Sequence, residues 1–475
     1  MTAGVGTEFG VFADGAWQRT TERREIHGVA GERLATVAIA DSAQAASGIA
    51  ASAQHQRRWG EVSAQERCAA IAGLERAIEA HREELVFWLT REAGATRAKA
   101  EREVAAAKAE VRFAATLAPY IERTVSTSGD RDQSVDLRPV GVVSVITPFN
   151  APLVLAMRCL APALAAGNSV VLKPDPRTPV SGGLLLPYIL RAAGLPSGLL
   201  TVLPGDAAVG EVLCEHPAVG SVLFTGSTPV GRRVGALAGA NLKKCGLELG
   251  GKNPFIVFAD ADVEHAAACA VRSGFLHSGQ ICMAAGRYLV EEQVLDDFSA
   301  AFVDRAARLI VGDPAVDDVD MGPLIDESSV DRVATIAEES ILAGAELLLG
   351  PVIRSRFMRP VVLGGVDASM PIWNQEVFGP VAGIRSFAGI SQLLEFEARS
   401  PFGLVASVHT SSTDTAAAVA NSLRCGTVRV NDVTNHDAPD TPMTGWGESG
   451  NGTAFGSPHM LNLLTNPRLE TRWTG

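Results

Sequence analysis

Two short stretches of the sequence combine a nucleophile, a carboxylate and several glycines. The first, LELGGKN at residues 247–253, places Glu248 between two leucines and beside two glycines. The second, GQIC at residues 279–282, ends on Cys282. A partly buried carboxylate has a raised pKa and can act as a general base, and a thiol becomes a nucleophile where its thiolate is favoured. The common alternative for a single cysteine is a small buried hydrophobic residue, which we expect for the other six.

Two further candidates follow apolar runs that have the composition of buried strands. Asn150 ends the sequence TPFN at residues 147–150, and its amide could stabilise an oxyanion or form an ordinary Asx turn. Lys173 ends the run SVVLK, where it could bind ribose hydroxyls or face solvent before a proline turn. Because ligands gather at the carboxyl ends of strands in open α/β sheets, both positions favour a binding site.

The sequence FTGSTPVG at residues 224–231 is a candidate phosphate loop. Gly226 and Gly231 lie five residues apart, with Ser227 between them, where an apolar strand gives way to a helix. The N-terminus of a helix offers free amides and a positive dipole to a phosphate. The GxxxxG spacing differs from the GxGxxG dinucleotide fingerprint and lacks the Gly-Lys-Ser/Thr ending of a P-loop, so a plain tight turn is the alternative.

The elements that must position these residues have the pattern of two α/β domains. From residue 141 onward, continuous Val/Ile/Leu runs alternate with helical segments, which is typical of a parallel sheet covered by helices on both faces. The runs lie at residues 142–147, 169–174, 199–204, 219–226 and 254–259, and in a second series at 288–290, 405–409 and 427–431. We therefore predict an α/β fold with two Rossmann-like parallel-sheet domains that divide near Gly250.

The segment before this sheet has a different character. Asp41 is a candidate N-cap, SAQE at residues 63–66 has the form of a capping box, and the first 120 residues are predicted to be mostly helical. Residues 124–139 instead alternate polar and apolar side chains around a Ser-Gly-Asp turn, which predicts a hairpin with one apolar face. Since an isolated hairpin is only marginally stable, we expect it to dock on a second subunit or on its own domain.

The length, net charge and cysteine content of the chain limit its number of domains, its partners and its location. A chain of 475 residues exceeds what one hydrophobic core usually serves, so at least two domains are expected. The net charge of −12 argues against nucleic acid and anionic membranes as partners. Seven cysteines without CxxC spacing favour a reducing compartment and single thiols over a metal site. Because no secretory signal is recognisable and Arg158, Pro162 and Asn168 interrupt the longest apolar segment, we predict a cytoplasmic protein.

Taken jointly, these stretches resemble the motifs of the aldehyde dehydrogenase superfamily and follow each other in the family's order. ELGGK at residues 248–252 is similar to the glutamate signature, GQICMAAGR at 279–287 to the cysteine signature, and EVFGP at 376–380 to a further family motif. TPFN, LKP and FTGSTPVG are similar to the cofactor loops. The resemblance runs from about residue 10 to the C-terminus, and it implies NAD(P)-dependent oxidation of an aldehyde to a carboxylic acid.

The resemblance implies a role for each motif residue. Cys282 would attack the aldehyde to give a thiohemiacetal, while the Asn150 amide and the backbone N–H of Cys282 would hold its oxyanion. After hydride transfer, Glu248 would activate the water that hydrolyses the thioester. Lys173 would reach the adenosine ribose, Ser227 and its helix the pyrophosphate, Glu376 the nicotinamide ribose and Phe378 the ring. The implied cofactor-binding residues are Thr147, Phe149, Lys173, Gly226, Ser227, Gly231, Leu249, Glu376 and Phe378.

The resemblance also implies how the chain divides. It gives an NAD(P)-binding domain at residues 1–123 and 140–249, a catalytic domain at 250–456, and an oligomerisation arm at 124–139 and 457–475. Family members form dimers or tetramers through such an arm. We therefore expect a homodimer or homotetramer that takes a small-molecule aldehyde and has no nucleic-acid or membrane partner.

Two departures from the common family pattern bear on cofactor and substrate. Pro176 stands where many NAD-preferring members carry a glutamate that would repel a 2′-phosphate, and Arg177 could attract that phosphate or face solvent. We predict NAD, with NADP as the alternative. Gly447 stands where the common form has a lysine, and this variant, together with HSGQICMAAGR, is similar to benzaldehyde, vanillin and salicylaldehyde dehydrogenases. An aromatic aldehyde is therefore the predicted substrate.

Three other interpretations compete with this one. The substrate could be an aliphatic aldehyde or a semialdehyde, or the enzyme could release its acyl group to CoA rather than to water. The chain could also be a catalytically idle family member with a structural role. Retention of Glu248 favours water as the acceptor, and retention of Cys282, Glu248 and Asn150 together favours an enzyme.

Overall fold

A computed structural model describes residues 7–29, 31–122, 124–128 and 130–474 of the chain. Residues 1–6, 30, 123 and 475 of the predicted domains, and Gly129 of the predicted Ser-Gly-Asp turn, lie outside the described residues. The α-helices are α1 (Ser42–Glu61), α2 (Ala64–Ala80), α3 (Arg82–Ala93), α4 (Arg97–Ala114), α5 (Ala118–Ile121), α6 (Pro152–Ala165), α7 (Leu186–Ala192), α8 (Ala207–Glu215), α9 (Thr228–Ala240), α10 (Val263–Phe275), α11 (Leu295–Ala307), α12 (Glu327–Leu342), α13 (Pro371–Asn374), α14 (Ile390–Ala398), α15 (Thr413–Ser422) and α16 (Leu461–Leu464).

The strands are short, and most belong to three sheets. They are β1 (Glu8–Phe9), β2 (Val11–Ala13), β3 (Ala16–Gln18), β4 (Arg23–His27), β5 (Arg33–Ala38), β6 (Thr124–Ser128), β7 (Arg131–Pro139), β8 (Val142–Ile146), β9 (Ser169–Lys173), β10 (Leu200–Val202), β11 (Val219–Thr225), β12 (Lys244–Glu248), β13 (Asn253–Val257), β14 (Ala285–Glu291), β15 (Glu346–Leu349), β16 (Ile353–Arg354), β17 (Phe357–Met358), β18 (Val361–Gly364), β19 (Val381–Phe387), β20 (Phe402–Gly403), β21 (Val405–His409), β22 (Thr427–Val430), β23 (Met443–Thr444), β24 (Trp446–Gly447), β25 (Ala454–Phe455) and β26 (Thr465–Trp473). Further short segments are a π-helix at Val180–Leu184 and 3-10 helices at Ser197–Leu199, Leu276–Gly279, Glu292–Val294 and Pro458–Met460.

The first sheet has the strand order β12-β11-β8-β9-β10-β2-β3, and its strands from β12 to β10 are parallel. Successive residues of β9 pack on opposite faces: Val170 and Leu172 join a core with α2, α4 and α6, whereas Val171 joins a core with α1, α8 and α9. The sheet is therefore covered by helices on both faces, and its prediction from the apolar runs at 142–147, 169–174, 199–204 and 219–226 is confirmed. The run at 254–259, listed with this series, instead forms β13 of the second sheet, and β12 was not anticipated.

The N-terminal segment is mostly helical, as predicted, and it also contains five short strands that were not anticipated. The capping boxes at Asp41 and Ser63 are confirmed and begin α1 and α2. Ahead of them, β2 and β3 extend the first sheet as antiparallel strands, and β1, β5 and β4 form a small sheet of their own. These strands have two to six residues, which is too short for a clear alternating pattern in the sequence.

The second sheet has the order β15-β18-β19-β14-β13-β21-β22, with β18 to β22 parallel and β15 antiparallel at one edge. One core lies against α10 and α11, and another lies against α12, α14 and α15. The predicted second α/β series is confirmed, while β18 and β19 were not anticipated. Among the described residues, every helix is too short or too polar to span a bilayer.

The predicted hairpin is formed by β6 and β7, and β26 pairs with β7 along its full length. The hairpin was expected to dock on another surface, and it docks on β26, the C-terminal strand of its own chain. Val135 and Leu469 face each other directly across this three-stranded sheet, and both are exposed. The residue boundaries of the two domains and of the arm remain predictions.

Candidate active site

Four neighbouring strands of the first sheet deliver the candidate residues to one edge. The strands β12, β11, β8 and β9 are parallel, and their register aligns Thr225 with Glu248 and Ile146 with Lys173. The glutamate loop, the candidate phosphate loop, the TPFN turn and Lys173 therefore all lie at the carboxyl ends of adjacent strands. This is the edge at which open α/β sheets bind ligands.

Glu248 is the last residue of β12 and is only 1% exposed. Its carbonyl accepts a hydrogen bond from the Gly226 amide (3.0 Å), and it pairs with Gly450 of the C-terminal loop. Within the described part of the chain, neither carboxylate oxygen has a partner at hydrogen-bonding geometry. Burial raises the pKa of this carboxyl well above its usual range, and Arg158 and the Gly445 amide offset that shift only in part.

Cys282 follows a strained loop that leaves the second sheet's helix α10. His277 and Ser278 have φ angles of 53° and 57°, and the Ser278 hydroxyl donates to the Gly322 carbonyl at 2.6 Å. Gly279 has φ 72°, and a Cβ at this position would lie 2.4 Å from the Gly379 carbonyl oxygen. The side-chain amide of Asn253 then holds the Cys282 carbonyl at 2.8 Å. The thiol is thus carried by a loop that is fixed at several points.

The acidity of the thiol does not distinguish Cys282 from the other cysteines. Burial raises its pKa to about 12, and the charges of Glu376, Glu248 and Asp437 add to that shift. Burial also raises the pKa of Cys245 to about 12 and that of Cys425 to about 11. A thiolate is therefore not favoured in the free protein. Cys282 shares its partial exposure with Cys245 and Cys425, and it differs from them in that the charges of Glu376, Glu248 and Asp437 act on its thiol.

Asn150 lies in the turn between β8 and α6 and is almost fully buried. The preceding Phe149 packs edge-on against Phe378 of the second domain, with ring centroids 5.8 Å apart. The guanidinium of Arg177 lies 4.1 Å from the centre of the Phe149 ring. Arg177 also bonds to Asp175 and, at 3.0 Å, to Asp326 at the start of α12. Arg177, which the sequence left as a phosphate ligand or a solvent-facing residue, is thus held by two carboxylates.

The candidate phosphate loop leads directly into α9. Ser227 is the N-cap of this helix, and its side chain makes no capping hydrogen bond. A Cβ on Gly231 would lie 2.3 Å from the end of the Leu249 side chain, so a larger residue here would force Leu249 to move away from the first turn of α9. Gly226, Gly231 and Leu249 therefore form one close backbone junction between β11, β12 and α9.

Lys173 and Thr147 lie on the neighbouring strand ends. The Thr147 amide donates to the Lys173 carbonyl at 3.2 Å, and the Thr147 hydroxyl is buried without a partner among the described residues. Burial lowers the pKa of Lys173, whereas Asp175 and Asp206 act in the opposite direction. An unpaired buried hydroxyl beside a mostly buried lysine is a polar lining suited to a ligand that supplies the missing partners.

Glu376 reaches from the second domain to the glutamate loop. Its carboxylate accepts a hydrogen bond from the Gly251 amide at 3.1 Å, and a Cβ on Gly250 would lie 2.1 Å from it. Burial raises the pKa of Glu376 to about 7. Burial likewise lowers the pKa of Lys252 to about 7, and its ammonium lies in the protein interior without a hydrogen-bond partner among the described residues. A side chain at Gly250 would displace the Glu376 carboxylate, and a Cβ at Gly251 would lie 2.9 Å from the Cys282 carbonyl oxygen.

The structure adds charged residues that the sequence did not single out as site residues. Arg158 of α6 is buried, donates to Glu110 at 2.8 Å, and also pairs with Asp437 of the C-terminal loop. The charges of Arg158 and Asp437 act on both Glu248 and Cys282. An arginine inside an otherwise apolar helix was the signal available in the sequence. No group of three or more His, Cys, Asp or Glu side chains within the described ranges is placed to hold a metal ion.

The chain is similar to known proteins over nearly its whole length. The model of the aldehyde dehydrogenase family matches residues 17–469. Over 463 residues, the chain is 40% identical to a vanillin dehydrogenase of Amycolatopsis sp., which covers 97% of this chain and 94% of the relative. Over 445 residues, it is 40% identical to a benzaldehyde dehydrogenase (NAD(+)) of Pseudomonas putida, covering 93% and 91%. A salicylaldehyde dehydrogenase structure from Pseudomonas putida G7, complexed with salicylaldehyde, superposes with a TM-score of 0.95 at 29% identity and covers 98% of both chains.

Removal of the Glu376 charge is expected to make the Cys282 thiol more acidic. After burial, this carboxylate contributes the largest part of the rise in the thiol's pKa. In Glu376→Gln, iodoacetamide should therefore alkylate Cys282 about 3- to 10-fold faster between roughly pH 8 and pH 10, as a shift of up to one pKa unit requires. The rate would be followed by mass spectrometry of the peptide that contains Cys282.

Glu92→Gln is the matched control for this measurement. Glu92 is also a buried carboxylate, but its charge is not among those that act on the thiol. Its substitution should leave the alkylation rate at the wild-type value. Equal rates for wild type and Glu376→Gln across this pH range would contradict the assigned coupling.

Proposed function

This chain belongs to the aldehyde dehydrogenase family, and we propose that it oxidises an aromatic aldehyde of the benzaldehyde type to the carboxylic acid with NAD(P). The proposal depends on one observation, which is that the Glu248 loop of the first domain lies beside the Cys282 loop of the second domain. The loop that follows Glu248 lies against Cys282 of the second domain: a Cβ at Gly251 would lie 2.9 Å from the Cys282 carbonyl oxygen, and the Asn253 side-chain amide donates to that oxygen at 2.8 Å. The charge of Glu248 acts on the thiol. A nucleophile and a base are therefore available in one buried space.

Cys282 forms the covalent intermediate in this proposal. Its sulfur attacks the aldehyde carbon, the thiol proton leaves, and the carbonyl oxygen becomes the oxyanion of a thiohemiacetal. The Asn150 amide and the backbone N–H of Cys282 donate to that oxyanion, which is worth most in a site that excludes water. Glu248 and Glu376 can accept this proton, because their charges act on the thiol and both carboxyls have raised pKa values.

Glu248 acts in the second half of the reaction. Once the hydride has left the thiohemiacetal, a thioester remains on Cys282, and Glu248 takes a proton from the water that attacks it. A buried carboxylate with a raised pKa suits this role, because a base works best when its pKa is near the working pH. Neither carboxylate oxygen has a partner at hydrogen-bonding geometry among the described residues, so each can accept a hydrogen bond from that water.

The residues at the sheet edge fit a dinucleotide. The start of α9 offers Ser227 and free amides to a pyrophosphate, and Lys173 and the unpaired Thr147 hydroxyl are available to a ribose. When bound, the nicotinamide supplies the hydride acceptor. We propose that Glu376 holds the nicotinamide ribose and that Phe149 and Phe378 border the ring; their rings already touch across the domains.

We propose NAD as the preferred cofactor, with NADP as the alternative. Arg177 is the cation next to Pro176, and its guanidinium is already engaged by Asp175 and Asp326. A 2′-phosphate would have to compete with these carboxylates. The similarity to a benzaldehyde dehydrogenase named for NAD(+) supports the same preference.

Glu248→Gln is expected to separate the two half-reactions. Hydride transfer should survive as a burst of about one NADH per active site, whereas steady-state turnover should fall about 10²- to 10⁴-fold because deacylation has lost its general base. In the wild type, turnover should fall as the pH drops through the raised pKa of Glu248, since the protonated carboxyl cannot accept a proton. Stopped-flow absorbance of NADH measures both phases.

The control for this experiment is Cys282→Ala, which should show neither a burst nor turnover. A wild-type steady-state rate in Glu248→Gln would remove the general-base assignment. NADH formation by Cys282→Ala would remove the covalent mechanism altogether.

A substrate and cofactor panel tests the chemical class directly. We expect a higher kcat/KM for benzaldehyde than for acetaldehyde or a semialdehyde, a higher value with NAD than with NADP, and benzoate as the product with or without CoA. Product identity would be determined by liquid chromatography and mass spectrometry. Preference for acetaldehyde would overturn the aromatic assignment, and CoA-dependent thioester formation would overturn hydrolysis.

We further propose that the sheet of β6, β7 and β26 joins subunits. Val135, Leu469 and Trp473 lie on one face of this sheet, and they are 39%, 61% and 70% exposed. A second copy of the same chain would bury this face in a homodimer or homotetramer.

The double substitution Val135→Asp/Leu469→Asp is expected to lower the molecular mass in solution, because two carboxylates would be buried at the proposed interface. Light scattering coupled to size exclusion gives the mass. Val125→Asp, at an exposed position on the opposite face of the sheet, is the control and should keep the wild-type mass. An unchanged mass for the double variant would contradict this interface.

A further inference from the structure

A buried ion pair of α4 lies against the turn that carries Asn150. Lys99 and Glu103 are one helical turn apart, and their side chains are 10% and 2% exposed. The Lys99 ammonium bonds directly to the Glu103 carboxylate. Burying an ion pair at this depth costs desolvation free energy, so we expect both side chains to have further hydrogen-bond partners.

Glu103 binds the start of α6. One of its carboxylate oxygens accepts hydrogen bonds from the backbone amides of Leu153 (2.9 Å) and Val154 (3.3 Å). The first residue of α6 is Pro152, which has no N–H, so these two amides are the remaining donors at the beginning of the helix. A carboxylate placed here also complements the positive end of the helix dipole.

Lys99 binds the other side of the same turn. Its ammonium donates to the Asn150 carbonyl at 2.7 Å, while its partner Glu103 accepts from the Leu153 amide three residues further on. The backbone before and after Ala151 is therefore fixed by one pair of side chains. This leaves only the side-chain torsions of Asn150 to be set locally.

We propose that Lys99 and Glu103 are positioning residues for the oxyanion donor, an inference that rests on the proposed function of Asn150. Neither side chain donates to the oxyanion. They hold the backbone from which the Asn150 amide projects, and they set where that amide stands relative to the Cys282 thiol. An oxyanion donor must be placed within about 0.5 Å of its productive position, so a loosened turn slows the chemical step without removing any group that contacts the substrate.

A double-mutant cycle with Asn150 separates this role from a purely structural one. The variants are Asn150→Ala, Lys99→Met, Glu103→Gln and the two combinations with Asn150→Ala, and the measured quantity is the single-turnover rate of hydride transfer to NAD at saturating benzaldehyde. Glu103→Gln keeps an oxygen acceptor for the α6 amides and carries the cycle if Lys99→Met does not fold. Lys99→Arg tests rescue by a conserved charge.

Asn150→Ala is expected to slow hydride transfer about 100-fold, as the loss of one oxyanion donor does elsewhere. Lys99→Met and Glu103→Gln should each slow it about 10-fold alone, as a misplaced group does, but less than about 2-fold once Asn150 is alanine. Lys99→Arg should recover most of the rate. The KM for the aldehyde should change little, because no substrate contact has been removed.

Glu92→Gln is the matched control for the cycle. Glu92 is a buried carboxylate that accepts the amides of Val180 (2.9 Å) and Ser181 (2.7 Å) at the start of another helical segment, and it does not contact Asn150. It should keep the wild-type rate. If the Lys99 and Glu103 effects multiply fully with that of Asn150→Ala, the positioning role is overturned while the proposed function stands. If Asn150→Ala itself has the wild-type rate, the oxyanion role in the proposed function fails, and the inference fails with it.

Discussion

The burial of the Glu248 carboxylate, which has no partner at hydrogen-bonding geometry among the described residues, is the constraint on which the site depends. An ionised carboxylate is costly in such a place, so the group holds its proton to a higher pH than a surface glutamate does. The backbone on both sides of Glu248 is held in place, because β12 pairs with β11 and Glu248 pairs with Gly450 of the C-terminal loop. The ELGG glycines let Glu376 and the Cys282 loop approach from the second domain.

The site is assembled from both domains, and several polar contacts cross between them. Arg177 ties the first domain to Asp326, and Arg158 ties α6 to Asp437 of the C-terminal loop. The rings of Phe149 and Phe378 meet at the same boundary. Because the proposed base and oxyanion donor come from the first domain and the nucleophile from the second, these contacts set the relative placement of the reacting groups. Changes far from the sulfur can therefore alter the chemistry.

The sequence allowed the family and the fold class to be predicted, because short motifs and continuous apolar runs are local signals. The runs at 142–147 and 169–174 became β8 and β9, and family membership is confirmed. The features that could not be predicted depend on contacts between segments that are far apart in the sequence. Lys99 and Glu103 have the spacing of an ordinary exposed helical ion pair, and only the packing of α4 on α6 buries them beside Asn150. The thiol's raised pKa was likewise invisible, because it arises from burial and from carboxylates distant in sequence.

In the proposed reaction, the sulfur of Cys282 becomes covalently bonded to the substrate carbonyl carbon beside Glu248. Peptide mass spectrometry of Glu248→Gln, after acid quench of a reaction with benzaldehyde and NAD, detects this bond. We expect a mass increase of one benzoyl group on the peptide that contains Cys282, and no such adduct when NAD is omitted. A benzoyl adduct on another residue, or its absence despite NADH formation, would rule out Cys282 as the nucleophile.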